Sequence, residues 1–129
     1  MWKETIIISI IIVAILLGNL ATRGYTQKSV EEMNQDLEAL RIEMGKKEKN
    51  EETLSKEIEE TFHKWTDFNE ELSYYIEHDE LEKVQTELVS VKANIETKEY
   101  ENGIESIDKA KYLLEHIQEK EALNIKNIF

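Results

Sequence analysis

From Thr5 to Ala21 the chain reads TIIISIIIVAILLGNLA, an apolar run without a single charge. Only Ser9 and Asn19 are notably polar within it. No feature limits the fold more, because a segment so uniformly apolar must be buried in a large core or lie in a lipid bilayer. At 1.5 Å per helical residue the run reaches about 25 Å, slightly short of a ~30 Å hydrocarbon core. Trp2 and Tyr25 bracket it and are expected at the two membrane interfaces, which extends the fit. A cleaved signal peptide is the rival reading, and Ile6–Leu17 alone has the length for one. Asn19-Leu20-Ala21 is a poor cleavage site, however, since its first residue is large and polar. The expectation is an uncleaved transmembrane helix over 5–21 behind a short head at 1–4. Lys3 precedes the span while Arg23 and Lys28 follow it, so the positive-inside count nearly ties. The short head and the acidic bulk behind favour a domain outside the cytoplasm, on the cell membrane.

The remainder is polar and acidic. The formal charge is −12, and because Lys3 and Glu4 cancel, the whole excess lies beyond the apolar run. Such a surface is repelled by nucleic-acid phosphates and anionic lipids, which argues against DNA or RNA as partners. The chain has no Pro and no Cys, and 34% of its residues are charged. This is the composition of long helices, and it excludes disulfides and thiolate metal sites.

Apolar residues then recur at spacings of three and four. Ser29-Val30-Glu31-Glu32 reads as a capping box after a polar joint at Thr26–Ser29. Val30, Met33, Leu37, Leu40 and Met44 follow as the seam of a coiled-coil-like stalk over 22–52. The stalk can pair with another helix or lie back on the domain that follows. In Gly45–Glu52 (GKKEKNEE) the seam lapses, and a continuous but weak helix is favoured over a hinge. The register resumes at Leu54, Ile58, Trp65, Phe68, Leu72 and Tyr75.

A corner is expected next. His78-Asp79-Glu80-Leu81 spells a retention signal for the endoplasmic reticulum, but such signals are read at a C-terminus, and the letters fit helix punctuation better. Asp79 and Glu82 form a second capping-box pattern, with His78 closing the preceding helix. Leu81, Val84, Leu88, Val91 and Ile95 stripe the next helix, and Ile104, Ile107, Ala110, Leu114 and Ile117 the last, with Tyr100 and Leu113 on its flanks. Leu123, Ile125, Ile128 and Phe129 are expected to pack back. The fold class is therefore all-α: a transmembrane helix, a stalk, and a small antiparallel three-helix bundle over 53–129. Its helices are placed near 53–78, 80–97 and 101–121, around Phe62, Trp65, Phe68, Leu72, Tyr75 and Ile76.

Chemistry is hard to find. Glu77, His78 and Glu82 are the residues a zinc or iron site would use, yet ligands must converge within about 2.0–2.2 Å of one ion. His63 and His78 lie roughly 22 Å apart along a helix. No nucleophile elbow, phosphate loop or sugar cleft is present, so no enzyme activity, metal or cofactor is expected. Phe62, Trp65 and Phe68 read as core. Tyr74 and Tyr75 point to different faces, so one ring should be exposed. With Glu77 and His78 it forms the expected partner-contact patch.

Trp65, the Tyr75-Ile76-Glu77-His78 run and Asn127-Ile128-Phe129 resemble the motifs of a family of short bacterial single-pass membrane proteins known only as a domain of unknown function. The likeness covers essentially the whole chain and implies no activity. Genes of that family often lie beside one for a multi-pass membrane protein, which implies an accessory role. The functional expectation is a non-catalytic, membrane-anchored interaction module, its partner a multi-pass protein or a second copy of itself. An extracytoplasmic small-molecule or metal sensor and a bitopic structural coiled-coil protein are the alternatives.

Overall fold

In a computed structural model, which describes residues 1–128 and the side chains of residues 1–123, the chain is helical apart from short turns. Four helices follow one another: α1 (Trp2–Gly45), α2 (Glu51–Leu72), α3 (His78–Glu96) and α4 (Tyr100–Ile128). Helix α1 packs against α2 and α4, and α3 packs against the same two, so neighbours in sequence close an antiparallel ring.

Helix α1 does double duty. Its first half is apolar and stands clear of the bundle, whereas Thr26, Ser29, Val30, Met33, Leu37, Leu40 and Met44 are buried in it. The five seam residues of the expected stalk are 0–2% exposed. Of the two courses open to that stalk, it takes the one that lies back, and the expected three-helix core becomes a four-helix one. Trp65, Leu88, Ile107 and Leu114 meet this seam in the shared core. Each fully buried Leu there stabilises the fold by about 1.5–3 kcal/mol.

The polar joint expected at Thr26–Ser29 does not interrupt α1, and Ser29 caps nothing. Its hydroxyl donates to the Tyr25 carbonyl at 2.8 Å, as Thr26 does to Thr22 at 2.9 Å and Thr22 to Asn19 at 3.0 Å. Hydroxyls that bond back one turn satisfy themselves inside a helix and need no break.

The chain does break where a continuous helix was favoured, at residues 46–50. One side chain organises this turn. Glu43 accepts Lys46 Nζ on one carboxylate oxygen at 2.8 Å and the Asn50 backbone N–H on the other at 3.1 Å. Asn50 then caps α2 by accepting from Thr53 N at 3.1 Å.

The α2–α3 corner falls one helical turn earlier than expected. Helix α2 ends at Leu72, and Glu77 rather than Asp79 is the N-cap of α3, with no side-chain hydrogen bond. His78 therefore opens α3 instead of closing α2, and pairs with Glu82 across 3.2 Å. Between α3 and α4 the chain makes a Schellman turn: Lys98 N–H donates to the Ile95 carbonyl and Glu99 N–H to that of Asn94. Lys98 occupies its left-handed position at φ 60°. Of the expected apolar tail, Leu123 is 58% exposed and lies outside the core cluster of the described residues. The side chains of Ile125, Ile128 and Phe129 lie outside the described residues.

Candidate interaction site

The corner at residues 73–77 lies at the end of the bundle from which the apolar half of α1 departs. Tyr75 fixes it there, its hydroxyl 2.9 Å from Thr26 Oγ1 and 3.2 Å from the Thr22 carbonyl. Burial raises its phenol pKa, with Glu121 and Glu71 adding to the rise, while the bond to Thr26 pulls the other way. Tyr75 is thus committed to the fold. Tyr74 points outward and is 80% exposed. Both rings reach solvent, but Tyr75, placed in the core by its spacing, is 36% exposed and held by hydrogen bonds rather than packing, and Tyr74 is the freer ring.

The other two residues of the expected patch behave differently. Glu77 is exposed but ion-paired, 3.3 Å from Lys120 Nζ, which also reaches Glu80 at 3.0 Å. That shared lysine fastens the start of α3 to α4, and its own pKa is raised by the two carboxylates. His78 is exposed and, among the described residues, is held only by Glu82. His116 stacks on Tyr112, ring centroids 6.5 Å apart, and lies 3.8 Å from Glu80. Among the described residues no group of three or more His, Cys, Asp or Glu side chains is placed to hold a metal ion.

Of the two aromatics expected at membrane interfaces, Trp2 stands free at 70% exposure. Tyr25 packs edge-on against Phe68, centroids 6.0 Å apart, so its ring is part of the bundle's end.

The matching region is decisive for kinship. A family model described as "Domain of unknown function (DUF4363)" matches residues 20–128. The chain belongs to the DUF4363 family. No curated protein and no solved structure matches it. The match begins where α1 enters the bundle, so the DUF4363 domain is the four-helix unit, with the α1 seam as one of its walls.

Two features of this DUF4363 domain escape a reading by residue type. The first is Glu121, only 9% exposed, at the same end as Tyr75. One carboxylate oxygen has no hydrogen-bond partner among the described residues. Burial raises its pKa, against the lowering influence of the Thr26 and Thr22 hydroxyls and of Arg23. The signal was its register: Glu121 continues the Ile107, Ala110, Leu114, Ile117 stripe at the next core position. The second is a cleft of about 810 Å3 between α3 and α4, open along its length. Asp79, Glu82 and Glu87 line it from α3, and Glu105, Asp108, Tyr112 and Leu113 from α4. No spacing rule flags it, because it exists only where the faces of two helices meet.

Proposed function

We propose that this protein is a non-catalytic, single-pass membrane protein whose helical domain is an accessory module for another membrane protein. The observation that carries the reading is the unbroken helix Trp2–Gly45. One rod supplies both an apolar stretch long enough to cross a membrane and one wall of the domain core. A domain so joined does not swing on a linker. Its height and orientation over the bilayer are set by the rod, which suits a part that must meet a neighbour at a fixed place.

The position of the corner supports the same reading. Tyr75 bonds to Thr22 and Thr26, the first and fifth residues past the apolar run, so the corner that carries the exposed Tyr74 sits beside the end of the span. Loops of a multi-pass protein reach that level. Exposed aromatics are strong contributors to protein interfaces. The domain lies outside the cytoplasm in this proposal, in keeping with the short head before the span and the acidic mass behind it.

The test is photo-crosslinking in native membranes from a benzoylphenylalanine placed at Tyr74. A position-dependent product with a multi-pass membrane protein is expected. Products with lipid alone, or recovery of the mature chain as a freely soluble species starting near Thr22, would overturn the proposal. A reporter enzyme fused after Phe129 that is active only in the cytoplasm would reverse the orientation.

A further inference from the structure

We propose that the cleft between α3 and α4 is a docking groove for a basic amphipathic helix of a protein partner. This deepens the interaction reading above and rests on it.

The groove follows from the packing. Helices α3 and α4 are held antiparallel by Ser90 and Ser106, whose hydroxyls meet at 2.8 Å, and by Lys120 bridging to Glu77 and Glu80. The cleft runs along the outer face of the stretch that these fastenings hold. The lining runs from Asp79 to Glu87 on one side and from Glu105 to Leu113 on the other. Each stretch is two helical turns, about 12 Å long. Leu113 packs partly on the core beneath, and Tyr112 stands 69% exposed beside it. Tyr112 and Leu113 therefore form an apolar patch in an otherwise charged groove, a place for one anchor side chain of an incoming amphipathic helix.

Charge selects the occupant. Five carboxylates line the groove, against Lys83 and Lys109. Asp108 is engaged by Arg41 and Glu105 by Lys109, and His78 Nε2 lies 3.2 Å from Glu82. Asp79 and Glu87, on the α3 rim, have no ion-pair partner among the described residues. An acidic groove with an apolar patch at Tyr112 and Leu113 complements a helix with Leu or Phe on one edge and Lys or Arg beside it. A second copy of this chain is a poor occupant, since it is itself strongly acidic.

The test uses the intact protein in nanodiscs of zwitterionic lipid and a synthetic five-turn Leu/Lys amphipathic helix, followed by fluorescence anisotropy with empty nanodiscs subtracted. Binding that weakens with salt is expected. The pair Asp79→Lys and Glu87→Lys should weaken it by about tenfold or more, and Tyr112→Ala comparably. The control pair Glu52→Lys and Glu70→Lys, on α2, changes net charge equally and should leave affinity within about threefold. Equal loss in both pairs, unchanged binding in all variants, equal binding of the Leu/Glu counterpart peptide, or a Tyr112-dependent self-association would each overturn the proposal. Crosslinking from Tyr74 that persists undiminished when the peptide fails would sink the groove while leaving the accessory role standing.

Discussion

The Tyr75 hydroxyl lies 2.9 Å from Thr26 Oγ1, joining the α2–α3 corner to the turn of α1 at which the helix enters the bundle. Residues far apart in sequence thereby hold one end of the domain together. A neutral hydrogen bond of this kind contributes about 0.5–1.5 kcal/mol. Tyr75→Phe is therefore expected to lower stability by roughly 1 kcal/mol, whereas Tyr74→Phe should fall within about 0.5 kcal/mol of wild type. Chemical denaturation of the two variants in parallel checks this. Adding Thr26→Val to each completes a double-mutant cycle, and only the Tyr75 cycle should show coupling.

Lys98 holds the left-handed position of the α3–α4 turn at φ 60°. A side chain there carries a penalty of about 1–2 kcal/mol that glycine avoids. The Lys98–Glu51 ion pair, exposed on both sides, returns little. Lys98→Gly is thus expected to stabilise the domain by about 0.5–1 kcal/mol, after glycine's greater unfolded-state entropy is counted. A thermal melt that fell instead would mean that the ion pair outweighs the backbone.

The helical stripes were legible because burial imposes a 3–4 spacing on whatever faces the core, and Leu54, Leu88 and Leu114 all sit where that spacing puts them. Turns were harder to place. The break at residues 46–50 depends on Glu43 folding back over it, and no local pattern distinguishes that glutamate from its neighbours. The α2–α3 corner slipped by a turn for a related reason: Asp79-x-x-Glu82 is a valid capping box, but the chain already turns at Tyr74 and Tyr75 to reach α1. The outward Tyr74 was foreseeable from its pairing with Tyr75. The α3–α4 cleft was not, since it depends on the distance between helices.

Glu121 makes stability depend on pH. Its folded pKa is raised by burial above the 4.5 of a free glutamate. The folded state therefore holds this proton more tightly than the unfolded chain. Its contribution is fully present below about 4.5 and is lost as pH rises through the higher folded value. Glu57, raised for the same reason, adds in the same direction. The drop in melting temperature from pH 4.5 toward neutrality should shrink in Glu121→Gln, and shrink further with Glu57→Gln added. Comparing variants at each pH separates this from the general relief of negative charge on acidification. A Glu121→Gln profile parallel to wild type would show that the carboxyl is equally protonated in both states.

The α1 seam permits a sharper test, because a stalk and a core wall predict opposite things. Leu37 and Leu40 are fully buried, and α1 contacts both α2 and α4. Without α1, the faces of α2 and α4 that carry Trp65 and Leu114 would be open to water, and three short helices would have to support themselves. A fragment spanning 22–129 is expected to unfold in one cooperative transition, whereas 53–129 should show helical content without a cooperative melt. Within the longer fragment, Leu37→Ala should cost about 2–5 kcal/mol, in the range of Leu88→Ala on α3. Far-ultraviolet circular dichroism and a urea titration read both results. If 53–129 melts as sharply as 22–129 and Leu37→Ala is silent, α1 is a stalk after all, and the fixed coupling of the domain to its apolar rod is lost with it.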